Sequence, residues 1–261
     1  MTTAAAAGDA RLDALVDAER ILVALDFDGT LSPLVTDPMA ARATPEASAA
    51  IAALAEARAT TVALVSGRSL RDLRVIAEHR DDSSIWLAGS HGAEHWRPAG
   101  APSVDGEDRR IDAEQADAIL SAVVDAVARF DGAWIEDKQF GFALHTRTSP
   151  EGVEQPAQDA VDAVMRARAP EWRRREGKHV LEFAWRHEGK DTAVAELRRA
   201  SRADAVLFAG DDVTDEDALR SLDEGDLGIR VGAGETAADV TVADISELAR
   251  LLSELAVRRG R

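Results

Sequence analysis

Blocks of apolar residues along the chain predict buried strands, and the segments between them carry helical signals. Ile21–Leu25 is an uninterrupted apolar run, a pattern typical of a parallel strand buried on both faces. A threonine followed by a proline at 44–45 marks a helix N-terminus after this strand. Further patterns predict strands at 61–65, 85–88, 205–209, 227–231 and 239–242, and a closing helix at 244–257. This alternation favours an α/β core with a mostly parallel sheet.

The pattern changes in the middle of the chain, where two helices and two pairs of strands follow one another. The predicted elements are a helix at 112–130, a hairpin at 133–147, a helix at 151–168 and strands at 171–176 and 178–185. The stretch 98–107 is rich in proline, glycine, alanine and aspartate, which is typical of a domain boundary. We therefore expect a core formed by residues 1–107 and 187–261, interrupted by an α+β cap of order αββαββ at 108–186.

Side chains alternate between the two faces of each predicted cap strand. Leu181, Phe183 and Trp185 share one face and should pack on the cap helices. Lys178, Val180 and Glu182 share the other face, and Glu136 and Lys138 share a face of the first cap strand. We expect Glu136, Lys138 and Glu182 to converge on the open side of the sheet. A charged face exposed to solvent is the alternative.

Acidic and hydroxyl side chains follow the predicted core strands. Asp26 and Asp28 come directly after the first strand, Ser66 follows the second, and Asp211 opens an acidic run after the strand at 205–209. Because ligands of open α/β sheets bind at the carboxyl ends of the strands, we expect these side chains to meet. Neighbouring carboxylates repel each other unless a cation lies between them or one holds a proton. The pattern therefore favours a hard cation and phosphoryl chemistry.

Each of these residues also has a purely structural explanation. Asp26 and Asp28 suit a polar turn that closes a core strand, and Ser66 suits a capping or turn position. The acidic residues at 215–217 suit the first turn of the helix that follows. The residues taken alone leave both explanations open.

Composition narrows the class of protein. The chain has 261 residues and a formal charge of −17, which argues against non-specific binding to nucleic acid or anionic membranes. It contains no cysteine and no apolar run of membrane-spanning length. Residues 1–9 carry no positive charge, so we expect no secretory signal there. We expect a cytoplasmic, monomeric enzyme with a small-molecule substrate and with neither nucleic-acid nor membrane partners.

The strand-end motifs occur in the order of the four motifs of the haloacid dehalogenase superfamily. Their residues resemble those of the trehalose-6-phosphate phosphatase family. The matching segments are DFDGTLSP at 26–33, SGR at 66–68, GSHG at 89–92 and GDDVTDEDA at 210–218. The resemblance extends into the cap through EDK at 136–138, HTR at 145–147 and Glu182, and it covers roughly residues 21–257. It implies a Rossmann-like core with an inserted cap, and Mg²⁺-dependent hydrolysis of a sugar phosphate.

The resemblance also implies a role for each matching residue. Asp26 is expected to be the nucleophile that forms an aspartyl-phosphate, and Asp28 the general acid and base. The other expected catalytic residues are Thr30, Ser66 and Lys190. The expected metal site uses Asp26, Asp211 and the backbone carbonyl of Asp28, with Asp212 and Asp215 orienting Lys190 or a metal-bound water. The expected substrate contacts are Arg68, His91, Glu136, Lys138, His145, Arg147 and Glu182.

Three positions depart from the family's usual pattern. Thr146 stands where tyrosine or phenylalanine is frequent, Ala184-Trp185 replaces Arg-Pro, and Asp191 replaces glycine. A related sugar phosphatase, acting on sucrose phosphate or mannosyl-phosphoglycerate, is therefore an alternative. A non-catalytic sugar-phosphate sensor is another, although Asp26, Asp28, Lys190 and Asp211 are all present.

Overall fold

The computed structural model describes residues 4–102, 113–138, 140–177, 179–186 and 189–260. The strands in chain order are β1 (Ile21–Leu25), β2 (Thr60–Val65), β3 (Trp86–Gly89), β4 (Glu94–Trp96), β5 (Trp134–Lys138), β6 (Gly141–His145), β7 (Arg173–Gly177), β8 (Val180–Ala184), β9 (Ala205–Gly210), β10 (Leu227–Val231) and β11 (Val240–Val242). The helices are α1 (Ala4–Asp17), α2 (Pro45–Glu56), α3 (Leu70–Ile76), α4 (Ala113–Val127), α5 (Glu154–Arg168), α6 (Lys190–Ser201), α7 (Asp215–Arg220) and α8 (Ile245–Arg259). The chain divides into two compact units, Met1–Asp105 with Glu188–Arg261, and Gly106–His187.

The first unit, which we call the core unit, is built on a seven-stranded sheet of order β11-β10-β9-β1-β2-β3-β4. Every neighbouring pair is parallel except β3 and β4, which form an antiparallel edge. Leu25 pairs with Leu64 on one side and Ala209 on the other, so the central strands end at one edge of the sheet. The prediction of an α/β core with a mostly parallel sheet is confirmed.

Strand β1 lies at the centre of this sheet and is covered on both faces. Ile21, Val23 and Leu25 pack in the cluster that includes side chains of α1, α2 and α8, whereas Leu22 and Ala24 pack with α6 and α7. No residue of β1 is more than 1% exposed. This double burial explains the uninterrupted apolar run, because neither face of the strand meets water.

The second unit, which we call the cap unit, has a four-stranded antiparallel sheet of order β5-β6-β8-β7. Leu181 and Phe183 of β8 pack with Ile119 and Val123 of α4 and Val161 of α5, as the period of two predicts. The predicted order αββαββ is confirmed. Strand β8 begins at Val180 rather than at 178, and Lys178 lies outside the described residues.

Candidate active site

Residues from neighbouring strand ends lie together at the carboxyl edge of the core sheet. The backbone N–H of Asp26 donates to Ala209 O at 2.9 Å, which carries the β1–β9 pairing one residue past the strand. The N–H of Ser66 donates to Ala88 O at 2.9 Å and does the same beside β3. Asp26 is 4% exposed and Ser66 is 2% exposed. Sheet register therefore places a buried carboxylate and a buried hydroxyl at this edge of the sheet.

A buried lysine joins two carboxylates at this edge. Lys190, the first residue of α6, donates from Nζ to Asp26 Oδ1 and to Asp215 Oδ1, each at 2.6 Å. Burial opposes the charged form of Lys190, but Asp26 and Asp215 outweigh it and raise the pKa of the ammonium. Lys190 is therefore a fixed positive charge.

Asp215 is held by hydrogen bonds on both of its oxygens. Oδ1 accepts from Lys190, and Oδ2 accepts from the backbone N–H groups of Asp211 and Asp212 at 3.1 and 2.9 Å. These bonds close the turn between β9 and α7, and a Cβ on Gly210 would lie 2.2 Å from the Asp215 carboxyl carbon. Asp215 is completely buried. Its arrangement suits a side chain that orients Lys190.

Asp211 is brought beside Asp26 by the loop that follows β1. Thr30, itself fully buried, donates from Oγ1 to Asp211 Oδ1 at 3.1 Å. Gly29 lies beneath Asp211 with a φ of +82°, and a Cβ there would come within 2.1 Å of Asp211 Oδ2. Only glycine meets both the backbone conformation and the close approach.

Asp26, Asp211 and Asp215 each offer a carboxylate oxygen, and the three oxygens lie within 4.8 Å of one another. Burial, reinforced by the charge of Asp215, raises the pKa of Asp211 to about 6. Burial also raises the pKa of Asp26, against the attraction of Lys190. One lysine thus leaves this cluster with uncompensated negative charge. An all-oxygen, anionic donor set fits a hard divalent cation such as Mg²⁺.

The carboxylate of Asp28 does not join this cluster. Both of its oxygens accept from Arg68, with Nε and Nη2 each donating at 2.6 Å. The hydrogen bond with Asp28 raises the pKa of Arg68, with burial opposing it. The Arg68 N–H also donates to Ser66 Oγ at 3.2 Å. The side chains near the cation site are therefore those of Asp26, Asp211 and Asp215, whereas Asp28 was expected to contribute a backbone oxygen.

His91 lies against the turn that carries Ser66. Its backbone N–H donates to Ser66 O at 2.9 Å, and a Cβ on Gly67 would lie 2.7 Å from the imidazole ring. His91 has a φ of 57°, a conformation that non-glycine residues rarely adopt. The structure thus places His91 next to the turn that carries Ser66.

The face of the cap sheet that points away from α4 and α5, which we call the exposed cap face, carries the predicted sugar contacts. The residues expected there are partly exposed. Glu136 and Glu182 both pair in register with Ala143 and flank it on the same face. Lys138 Nζ donates to Glu182 Oε1 at 3.2 Å, and His145 Nε2 lies 2.7 Å from Glu136 Oε2. Four of the five predicted cap residues therefore lie together. Arg147 is exposed beyond β6, and within the described part of this unit no ion pair joins it to the other four.

A family model described as trehalose-phosphatase matches residues 24–248. The chain belongs to the trehalose-phosphatase family. The matched range includes the site residues described above in both the core unit and the cap unit.

Relatives and solved structures agree with this membership. The trehalose-phosphate phosphatase of Mycobacterium avium is 35% identical over 84% of this chain, which spans 59% of the length of that relative. Trehalose-6-phosphate phosphatase of Aspergillus fumigatus has the same fold, with a TM-score of 0.72, 24% identity and coverage of 95% of this chain and 97% of the other. A haloacid dehalogenase-like hydrolase of B. subtilis superposes with a TM-score of 0.59 at 17% identity, covering 90% and 99% of the two chains. The haloacid dehalogenase fold of the core is thereby confirmed.

Sequence reasoning missed two features of this trehalose-phosphatase family member. It did not pair Arg68 with Asp28. It also overlooked Trp134, which shares the exposed cap face with Glu136 and Lys138. The period of two gave a usable signal for Trp134, because residues 134, 136 and 138 alternate along one strand.

Proposed function

We propose that the chain is a Mg²⁺-dependent phosphatase that hydrolyses trehalose 6-phosphate to trehalose and phosphate. The observation that supports it best is the group of buried Asp26, Lys190 and Asp215 with half-buried Asp211 at the sheet edge of a trehalose-phosphatase family member. A cytoplasmic location and a monomeric state stay predictions.

The proposed reaction has two steps on one carboxylate. In the first, Asp26 attacks phosphorus and forms an aspartyl-phosphate while the bond between phosphorus and the sugar oxygen breaks, and Asp28 gives its proton to that oxygen. In the second, water attacks phosphorus, Asp28 takes the water's proton, and phosphate leaves to regenerate Asp26. Atoms and charge balance because Asp28 returns to its starting state.

In this proposal, residues of the core unit would bind the cation. Asp26 and Asp211 would hold it, with the backbone carbonyl of Asp28. Each of these two carboxylates has its Oδ1 hydrogen-bonded, to Lys190 and Thr30 respectively, and within the described residues no hydrogen bond reaches either Oδ2. When bound, Mg²⁺ supplies positive charge against the anionic phosphate. Asp215 is already hydrogen-bonded on both oxygens and orients Lys190 instead.

The positive and polar groups near Asp26 would hold the phosphoryl oxygens. Thr30 and Ser66 supply hydroxyls, and Lys190 supplies a charge that is already in place before the reaction. Arg68 occupies both oxygens of Asp28, so Asp28 must give up at least one of these hydrogen bonds to act as a proton donor. An incoming phosphate is a competing partner for Arg68.

The exposed cap face would bind the sugar. Glu136, Glu182 and Lys138 present carboxylate and ammonium groups that match sugar hydroxyls, and His145 supports Glu136. His91 and Arg147 are also proposed substrate contacts, with His91 packed against Gly67 and Arg147 beyond the end of β6.

A panel of substrates tests the proposal. The full chain with Mg²⁺ is offered trehalose 6-phosphate, sucrose 6-phosphate and mannosyl-3-phosphoglycerate, and phosphate release is measured. We expect the highest kcat/KM with trehalose 6-phosphate. A higher value with another sugar phosphate would assign the chain to that specificity, and tight binding of all of them without turnover would favour a sensor.

A further inference from the structure

The exposed cap face carries one aromatic ring that no role described so far uses. Trp134, the first residue of β5, is 51% exposed, and among the described residues it is the only aromatic side chain in the set of exposed large apolar ones. It lies on the same face as Glu136 and Lys138, because these residues alternate along β5. Single apolar residues are common on protein surfaces, so what distinguishes Trp134 is its surroundings.

The orientation of the Trp134 ring is fixed by its neighbour across the hairpin. It pairs in register with His145, and the two rings are stacked with centroids 4.3 Å apart and planes 15° apart. His145 is fixed in turn by Glu136, whose Oε2 lies 2.7 Å from Nε2. Glu136, His145 and Trp134 thus form a continuous chain of contacts. A ring fixed in this way loses little conformational entropy when a ligand binds.

One face of the Trp134 ring is covered by His145, and half of the side chain remains open to solvent. An open aromatic face next to carboxylates is suited to a pyranose ring, which presents C–H groups on its faces and hydroxyls on its rim. Successive residues on one face of a strand are about 7 Å apart, so Trp134 and Glu136 can contact one and the same sugar.

We propose that Trp134 is a stacking platform for a pyranose ring of the sugar-phosphate substrate, with Glu136 binding hydroxyls of that ring. This subsite rests on the proposed function, because it assumes that the cap face receives the sugar. Trp134 contributes to binding rather than to chemistry, so its loss should raise KM and leave kcat nearly unchanged.

The first test compares Trp134→Ala and Trp134→Phe in the full chain. With trehalose 6-phosphate and Mg²⁺, we expect KM to rise about tenfold in Trp134→Ala and to stay near the wild-type value in Trp134→Phe, which keeps a ring. Hydrolysis of p-nitrophenyl phosphate, which has no sugar, should lose much less. An unchanged KM in Trp134→Ala, or equal losses on both substrates, would overturn the platform.

Trp96 provides the matched control, since it is also a tryptophan paired with a histidine. Its ring lies 4.3 Å from that of His79, edge to face, on strand β4 of the core unit. Trp96→Ala, with circular dichroism to show that it is folded, should leave KM for trehalose 6-phosphate unchanged. A rise in KM equal to that of Trp134→Ala would show that loss of any such pair has this effect and would contradict the proposal.

A binding measurement separates this inference from the proposed function. Trehalose, which has no phosphate to release, is titrated into the full chain while tryptophan fluorescence is recorded. We expect an emission change in the wild type and in Trp96→Phe that is lost in Trp134→Phe. The same emission change in Trp134→Phe would contradict the proposal that Trp134 stacks on the sugar. Failure of the wild type to hydrolyse trehalose 6-phosphate would instead defeat the proposed function, whatever the fluorescence shows.

Discussion

The two charged regions of this molecule differ in how their charges are held. In the core unit, Lys190, Asp26 and Asp215 are at most 4% exposed and are joined by hydrogen bonds of 2.6 Å. On the cap face, the side chains of Lys138 and Glu182 are 32% and 22% exposed and lie 3.2 Å apart. Buried charges interact strongly and are costly to leave unpaired, whereas solvent screens exposed ones. The core unit therefore holds its charges in place, as the proposed reaction requires, and the cap face presents charges that can exchange partners.

The largest expected effect follows from Asp26→Asn. The amide keeps the shape of the side chain but is not a nucleophile, so phosphate release from trehalose 6-phosphate should fall by about 10⁴-fold or more. Circular dichroism should show an intact fold. Substantial turnover by this variant would remove Asp26 from its proposed role.

Replacing the two lysines sharpens the comparison between the regions. Lys190→Met leaves Asp26 and Asp215 buried without a counter-charge, so we expect a loss of about 3–5 kcal/mol in the free energy of unfolding and of about 10²- to 10³-fold in kcat. Lys138→Met is the matched change on the cap face, where we expect a loss of about 1 kcal/mol or less. Urea unfolding measures both, and similar losses would contradict the distinction between the buried and exposed groups.

Glu182→Ala tests the cap face as a region of recognition. Losing a charged hydrogen-bond partner should lower kcat/KM for trehalose 6-phosphate by about 10- to 100-fold. A small aryl phosphate should be affected less, because it makes no sugar contacts. Glu176→Ala removes an exposed glutamate of the neighbouring strand β7, whose register partner is Leu181 on the buried face, and should change neither value. Equal losses on both substrates would show that Glu182 does not contact the sugar.

The smallest expected effect is the pH dependence of Mg²⁺ binding. Burial raises the pKa of Asp211 to about 6, and a protonated carboxyl is a poor ligand, so protons compete with the cation below that pH. Affinity measured by calorimetric titration should therefore increase with pH, by at most about tenfold per unit for each proton released. Asp211→Asn should remove the part of this dependence that lies near pH 6, whereas the part near pH 8 should remain, because burial raises the pKa of Asp26 to about 8. A dependence that is unchanged in Asp211→Asn would mean that another group controls it.

Much of this fold follows from local patterns. The apolar run Ile21–Leu25 and the strand at 205–209 predict central parallel strands, and their shared edge brings Asp26 and Asp211 together without any knowledge of side-chain conformation. Alternation along β5 and β8 likewise predicts that Glu136, Lys138 and Glu182 share a face.

The features that sequence did not predict depend on side-chain direction or on cross-strand register. Arg68 has a long, flexible side chain, and only the structure shows that it turns to Asp28. The stacking of Trp134 on His145 depends on the hairpin register, which a shift of one residue would destroy.

The most direct test of the central claim, that Asp26 and Asp211 hold a divalent cation which phosphate release requires, is the rate of trehalose 6-phosphate hydrolysis as a function of Mg²⁺ concentration. The full chain is first stripped with a chelator and then titrated. We expect no phosphate release above background in the chelator and a saturable rise as Mg²⁺ is added. A full rate in the presence of excess chelator would contradict the claim.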